Sequence, residues 1–376
     1  MPPLQGLCSK PTQDCTLGCH IPLRWSLIRK LFFPEFPNMK TIILNQPGSF
    51  STADKPEPKT KAGEAIVKIS RIGMCGTDLH AYRGKQPFFT YPRILGHELG
   101  VEIVEAGNND FELKNGMQCA IEPYLNCGFC LACRSGKTNC CVKLQCLGVH
   151  VDGGLQEYFS IPYQKLHPST ALNSEQLALV EPLCIGGHAV SRAQLKAGEN
   201  VLVIGTGPIG LAVIAQAQAA GVNLIAMDVS EDRLKFAREN FNVAATVMAG
   251  ENSLQEIADL TNGEMPSVVF DATGNPTSMN NSFEFPANGG RIILVGLHLE
   301  FVTFRDQDFH RRELTVMSSR NATATDFKRT IALLESGQIK IDPWITHRVK
   351  SDELIEKFPT WLDAKAGFIK AVVEWS

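Results

Sequence analysis

No stretch of this chain reaches the roughly 18–20 consecutive apolar residues that a membrane-spanning helix needs. Its apolar segments, such as "AVIAQAQAAGVNLIAM" and "IILVG", are broken by polar residues or short. A surplus of one charge sign is also missing: 36 lysines and arginines face 39 aspartates and glutamates, for a net charge of −3. That balance gives no electrostatic reason to expect a nucleic-acid or anionic-membrane partner. The n-region, h-region and small-residue cleavage site of a secretory signal are lacking too. These absences leave a cytoplasmic globular protein as the expectation, in keeping with 44% hydrophobic and 20% charged residues. At 376 residues the natural division is into two domains.

Cysteine is plentiful, with twelve residues. In a long chain expected in the cytoplasm this argues for metal binding or catalysis before disulfides. Cys119, Cys146 and Cys184 stand apart from any motif and are read as buried space-fillers. Residues 1–38 differ in texture from the rest. They are punctuated by proline, carry the basic run "LRWSLIRKLFF", and hold Cys15, Cys19 and His20 without a partner at a metal-site spacing. The expectation is an extension, either disordered or a mis-assigned start, with Met39 opening the fold as the strand and turn "MKTIILNQPG".

From 39 to 186 short β-branched runs such as "EAIVKIS" and "GVEIVEAG" alternate with Gly, Pro and Asn, a strand-and-loop pattern. From 187 to 323 buried-strand runs ("NVLVIG", "NLIAMD", "SVVFDATG", "RIILVG", "ELTVMSS") alternate with helical stretches. That alternation specifies an α/β fold with a doubly wound parallel sheet. The tail, 324–376, returns to a helix and a final strand and is read as rejoining the first domain.

"VLVIGTGPIG" places Gly205, Gly207 and Gly210 in a G-x-G-x-x-G turn between a buried strand and an apolar helix. Gly205 permits the tight turn, Gly207 lets backbone approach a pyrophosphate, and Gly210 lets the helix pack on the sheet. The pyrophosphate then meets free N–H groups and the positive end of the helix. Asp228 closes the next strand, where its carboxylate can accept both ribose hydroxyls and repel a 2′-phosphate. The expected cofactor is therefore NAD over NADP.

Five cysteines fall within residues 127–141. Cys127, Cys130, Cys133 and Cys141 form C-x2-C-x2-C-x7-C, a set suited to a closed tetrahedral structural zinc. An iron–sulfur cluster begins with the same spacing but continues with x3-C-P, whereas Val142 follows Cys141 here. Cys140 adjoins Cys141, and spacing alone does not choose between them. A second constellation joins Cys75 in "GMCGTDLH", His97 and Glu98 in "LGHELG", and Glu181 in "VEPL". Thiolate, imidazole and carboxylate around zinc leave a position for water or substrate, the mark of a catalytic site. Asp78 is placed to accept the second ring N–H of His97. Taken singly, each residue also fits a core or helix-start role, so spacing leaves the joint reading open.

In their order along the chain, "GMCGTDLH", "GHE", the four-cysteine lobe, "EPL", "GTGPIG" and "DATG" resemble the zinc-containing medium-chain alcohol and polyol dehydrogenases, over essentially Met39–Ser376. More narrowly, "QPFFTYPRILGHE", "GVHVDGG", "DATGN" with "MNN", and "SRNAT" resemble the bacterial sugar-acid branch typified by L-galactonate 5-dehydrogenase. Sorbitol, threonine and L-idonate dehydrogenases are more distant cousins. The resemblance implies a GroES-like catalytic domain (39–186 and 324–376), a Rossmann NAD-binding domain (187–323), and an active site between them. It implies Cys75, His97, Glu98 and Glu181 as the catalytic-zinc set, with Glu181 where the alcohol-dehydrogenase subgroup has cysteine. Cys141 becomes the fourth structural-zinc ligand and Cys140 a bystander. Thr77 and His80 take the place of the proton relay. Gly205, Gly207, Pro208, Ile209, Gly210, Asp228, Arg233, Thr273, Gly296 and Arg320 become the NAD contacts. The implied substrate is a polyol or sugar acid oxidised at a secondary hydroxyl, with Arg83, Lys85 and Arg320 as candidate partners for a carboxylate. The implied assembly is a homo-oligomer, dimer or tetramer. A non-catalytic NAD-binding protein should have lost a catalytic ligand, and a zinc-free quinone reductase should lack both metal sets. Every one of these residues is present here.

Overall fold

The computed structural model describes residues 38–87, 89–363 and 367–375. Cys15, Cys19 and His20 lie outside them. Met39–Ser376 forms one compact unit. It opens with an antiparallel hairpin, β1 (Met39–Gln46) and β2 (Ser49–Lys55), whose Ile42 and Leu44 are fully buried. Then come β3 (Glu64–Met74), β4 (Glu98–Glu105) and β5 (Gln118–Ile121). A two-stranded ribbon, β6 (Tyr124–Leu125) with β7 (Gln145–Cys146), is followed by β8 (Tyr158–Pro162) and β9 (Leu166–Pro168).

The chain next builds six parallel strands: β10 (Asn200–Ile204), β11 (Asn223–Asp228), β12 (Ala245–Met248), β13 (Val268–Asp271), β14 (Arg291–Leu294) and β15 (Thr315–Ser318). Their order is β12-β11-β10-β13-β14-β15, and every pairing is parallel. Strands covered on both faces read as unbroken apolar runs, which is why "NVLVI" and "VVFD" show no alternation. This is the doubly wound sheet expected from the alternating texture of the sequence. Its strand order reverses between β10 and β13, which opens a crevice at the strands' carboxyl ends.

Finally β16 (Ile345–Lys350) and β17 (Lys370–Glu374) return to the first sheet, giving the order β16-β17-β3-β4-β5-β9, with β8 paired to the first half of β3. The tail divides its packing. The helix Ala324–Glu335 buries Phe327, Ile331 and Leu334 in the same core as Val201 and Phe270 of the parallel sheet. β17 contributes Val373 to a second core with Val67, Ile72 and Leu99. The helix Val180–Ala193 sends Leu183 and Cys184 into the first of these cores, so Glu181 at its start is held by packing on a wide front.

Candidate active site and metal centres

β3 and β4 run antiparallel with Gly73 opposite Glu98. This register brings the end of β3 against the start of β4, and so brings Cys75 to His97 and Glu98. The ligand atoms of these three residues lie within 4.8 Å of one another. Gly73 is required by close approach, because a Cβ there would sit 2.1 Å from Glu98 Oε2 and 2.9 Å from Glu98 Cβ. Cys75 caps the short helix Gly76–Tyr82, and its N–H donates to Asp78 Oδ2 at 2.9 Å.

Asp78 Oδ1 stands 3.8 Å from His97 Nδ1, and both atoms are buried without a hydrogen-bond partner among the described residues. Burial pushes the Asp78 carboxyl up, with His97 opposing. Burial by itself would lower the His97 pKa, but the charge on Asp78 and the Cys75 thiol reverse this and hold it well above its ordinary value. Thiol and carboxylate groups converge on this imidazole, a donor set built for a cation. Thiolate, imidazole and carboxylate are also zinc's usual ligands, so the residues fit a zinc ion.

Glu98 is fully buried and is held by Lys370 from β17, whose Nζ donates to Oε1 at 2.6 Å and Oε2 at 2.9 Å. Burial works against the Lys370 charge and the Glu98 carboxylate more than offsets it, so its pKa is raised. Sequence reasoning missed this lysine. The available signal was a lone charge inside the apolar strand "FIKAVVEW". Glu181 lies outside the 4.8 Å triplet, yet close enough to His97 for each to act on the other's charge. Its carboxylate accepts the Tyr124 hydroxyl, and burial pushes its pKa up to about 7. Cys119 and Cys184 are buried as expected for space-fillers. Cys146 is different: the β6–β7 ribbon sets its thiol in the field of His97, Glu181 and Cys75, and burial pushes its pKa up to about 12.

The four-cysteine lobe gathers Cys127, Cys130, Cys133 and Cys141 with all sulfurs within 4.8 Å. Cys130 and Cys133 are 3.5 Å apart, and Cys127 and Cys133 4.0 Å. Four Zn–S bonds of about 2.3 Å place tetrahedral sulfurs about 3.8 Å apart, so the cluster fits one zinc ion. Cys141 Sγ accepts backbone N–H groups from Cys127 (3.2 Å) and Lys143 (3.3 Å), and these hold its pKa down. The N–H of Cys133 leads the groups that bring Cys130 down to about 6. Both favour the thiolate a metal needs. Cys140 is exposed and outside the cluster.

In the parallel sheet Gly205 turns the chain at φ +87°, and a Cβ on Gly210 would fall 1.7 Å from Gly205 O. Pro208 and Ile209 open the helix Pro208–Gln218. Asp228 Oδ2 accepts the Thr206 N–H (2.6 Å) and hydroxyl (3.0 Å), and Oδ1 accepts the Ser230 N–H (3.0 Å). Arg233 Nη1 stands 4.0 Å from the same carboxylate and beside Gly207. Thr273, following β13, packs against Gly205, and Gly296, following β14, packs against Gly274. These residues share the crevice at the strand ends, the position in which such sheets bind dinucleotides. Arg320 follows β15, and its carbonyl accepts the Asn139 amide at 2.8 Å.

Thr77 and His80 sit three residues apart on the Gly76–Tyr82 helix, hence on one face. His80 is largely exposed; partial desolvation, then Arg83 and Lys85, lower its pKa. Arg83 donates to the Leu362 carbonyl at 2.6 Å, which commits one of its amino groups to the backbone.

Fold and donor sets together are those of a dinucleotide-dependent oxidoreductase with a metal centre. Residues 61–171 match the alcohol dehydrogenase GroES-like domain, and residues 208–336 match the zinc-binding dehydrogenase domain. The chain is 40% identical over 335 residues to L-galactonate-5-dehydrogenase of Escherichia coli (strain K12), covering 89% of this chain and 98% of that one. A crystal structure of an alcohol dehydrogenase from Escherichia coli CFT073 with NADH is similar at a TM-score of 0.83 and 30% identity, covering 90% of this chain and 99% of that one. A zinc-binding dehydrogenase from Sinorhizobium meliloti 1021 bound to NADP gives the same TM-score, identity and coverage. The chain belongs to the zinc-binding alcohol dehydrogenase family, and it is an oxidoreductase.

Proposed function

We propose that the protein oxidises a secondary hydroxyl of a sugar acid or polyol to a ketone with NAD, with an L-galactonate-like aldonate as its substrate. The observation that carries this is the Cys75–His97–Glu98 triplet, half-buried at Cys75 and buried at His97 and Glu98, with ligand atoms within 4.8 Å and Glu181 nearby. In this reading Cys75, His97, Glu98 and Glu181 hold the catalytic zinc, and Cys127, Cys130, Cys133 and Cys141 the structural one. When bound, zinc supplies Lewis acidity toward a hydroxyl and NAD a hydride acceptor.

The chain's own residues do the rest. Asp78 fixes the His97 ring. Lys370 neutralises Glu98 and holds it in place. Tyr124 orients Glu181, and Thr77 with His80 carries the released proton outward along one helix face. Gly205, Gly207 and Gly210 let the pyrophosphate approach, with Pro208 and Ile209 presenting the helix start. Asp228 receives the adenosine ribose, with Arg233, Thr273, Gly296 and Arg320 around the cofactor. Asp228 supports NAD over NADP, because its charge opposes a 2′-phosphate. The protein works in the cytoplasm as a dimer or tetramer.

The test is NAD-dependent oxidation of L-galactonate, L-idonate, sorbitol and threonine by the full chain. Preferential turnover of L-galactonate is expected. Preference for sorbitol or threonine would replace the sugar acid with a polyol or amino-alcohol substrate, and no turnover of any would remove the reading.

A further inference from the structure

An open cavity of about 580 Å³ is lined by Thr90, Lys143, Leu144, Gln145 and His150. Its two walls run into the metal centres. Thr90 lies on the connection between the Gly76–Tyr82 helix and β4, a connection that ends at the ligand His97. Lys143 and Gln145 follow the ligand Cys141, and the Lys143 backbone N–H is bonded to that cysteine's sulfur. The far end is fixed through His150, whose Nδ1 accepts the Cys146 N–H at 3.0 Å, and the Cys146 thiol lies in the field of His97, Glu181 and Cys75.

The charges around this cavity are unbalanced. No carboxylate is among its lining residues, whereas Lys143 is one of them, its ammonium standing 5.6 Å from the centroid of the Phe129 ring. Arg93 stands behind Thr90, donating to its hydroxyl from Nη2 at 2.7 Å, and its Nε is buried with no protein partner among the described residues. Asp152, an acid tied to this wall, is shared: it lies 3.5 Å from Arg93, 3.4 Å from Lys55, and accepts the Ile94 N–H at 3.2 Å. With Nδ1 accepting, the proton of the neutral His150 ring is on Nε2, which leaves that nitrogen as a donor. Burial, then Arg320 and Arg93, lower the His150 pKa. The imidazole thus avoids a proton in the same positive field that favours an anion.

We infer that this cavity receives the carboxylate end of a polyhydroxy-acid substrate, with Lys143 supplying the counter-charge and Thr90, Gln145 and His150 supplying neutral hydrogen bonds. The inference rests on the proposed dehydrogenase reading and adds the residues that select an acid over the matching polyol. One ammonium among neutral donors suits a carboxylate monoanion, whereas a phosphate is better matched by the paired donors of a free guanidinium.

The test compares kcat and KM of the zinc-loaded full chain on L-galactonate, on galactitol (the neutral polyol of the same carbon chain) and on galactitol 1-phosphate. The variants are Lys143→Met, Lys143→Glu and Lys143→Arg, each checked for zinc content. A charge-assisted contact at an open site is worth about tenfold or more in binding. The kcat/KM ratio of L-galactonate to galactitol should therefore fall by about that factor in Lys143→Met, through KM. It should fall further in Lys143→Glu and recover in Lys143→Arg. An unchanged ratio in Lys143→Glu, or a wild type that prefers galactitol or its phosphate, would overturn the carboxylate inference and leave the dehydrogenase reading standing. A wild type that oxidises none of the three substrates would remove both.

Discussion

Lys370→Met removes a positive charge from a place where almost no water reaches. Lys370 and Glu98 are 1% and 0% exposed, and two contacts of 2.6 and 2.9 Å join them. In the zinc-free variant the carboxylate stays buried with its counter-ion gone, a change that typically costs about 3–5 kcal/mol when stability is measured without metal. Lys370 carries a raised pKa, so the pair's contribution is complete below the unfolded lysine value of about 10.4 and is lost only as pH rises through the still higher folded value. Urea unfolding at pH 7 should accordingly show the full loss, and the alkaline limb of the stability curve should flatten. Adding Glu98→Gln should restore much of the loss, since a neutral amide has no unpaired charge to bury. The coupling energy from the double-mutant cycle is expected at about 2–3 kcal/mol. A loss below about 1 kcal/mol, or strictly additive effects, would show that Lys370 is not the counter-ion on which Glu98 depends.

Three further outcomes are expected. Gly73→Ala puts a methyl group 2.1 Å from Glu98 Oε2; it should destabilise by about 1–3 kcal/mol and lower zinc retention at the Cys75 site, read by unfolding and metal analysis. Cys141→Ser should empty the lobe of zinc while Cys140→Ser leaves it filled, because only Cys141 belongs to the sulfur cluster; equal losses would contradict the assignment. Burial opposes the charge on Asp326, yet the His188 ring at 2.9 Å and the Thr323 N–H and hydroxyl hold its pKa down. Its contribution is present above the unfolded value of about 3.9 and is lost as pH falls through the lowered folded value. Asp326→Asn should therefore lower stability at pH 7, by about 1.5–3 kcal/mol if the bonds to the charged carboxylate are lost, and flatten the acid limb; an acid limb unchanged from wild type would refute this.

Local patterns made much of the molecule legible. The alternation of apolar strand and helix announces the parallel sheet, and Gly205, Gly207 and Gly210 announce its turn, because both depend on neighbours in the chain. The four cysteines are likewise close in sequence. What stayed hidden depends on long-range pairing. Lys370 and Glu98 are 272 residues apart, and Tyr124 and Glu181 are 57 apart; no periodicity reports such meetings. The tie between Cys140 and Cys141 is broken by backbone N–H groups that point at one sulfur only, a feature of the folded loop. Cys146 read as a filler for the same reason: its β-ribbon partner Tyr124 lies 22 residues before it, and only that pairing sets it beside the metal residues.

The most direct test of the account is zinc per chain in the wild type and in His97→Ala, with NADH formation from L-galactonate measured on the same samples. The two ligand clusters predict two zinc ions in the wild type, and one in His97→Ala with activity lost. A wild type that turns over substrate with a single zinc, or a His97→Ala protein that keeps both ions and its activity, would contradict the catalytic site described above.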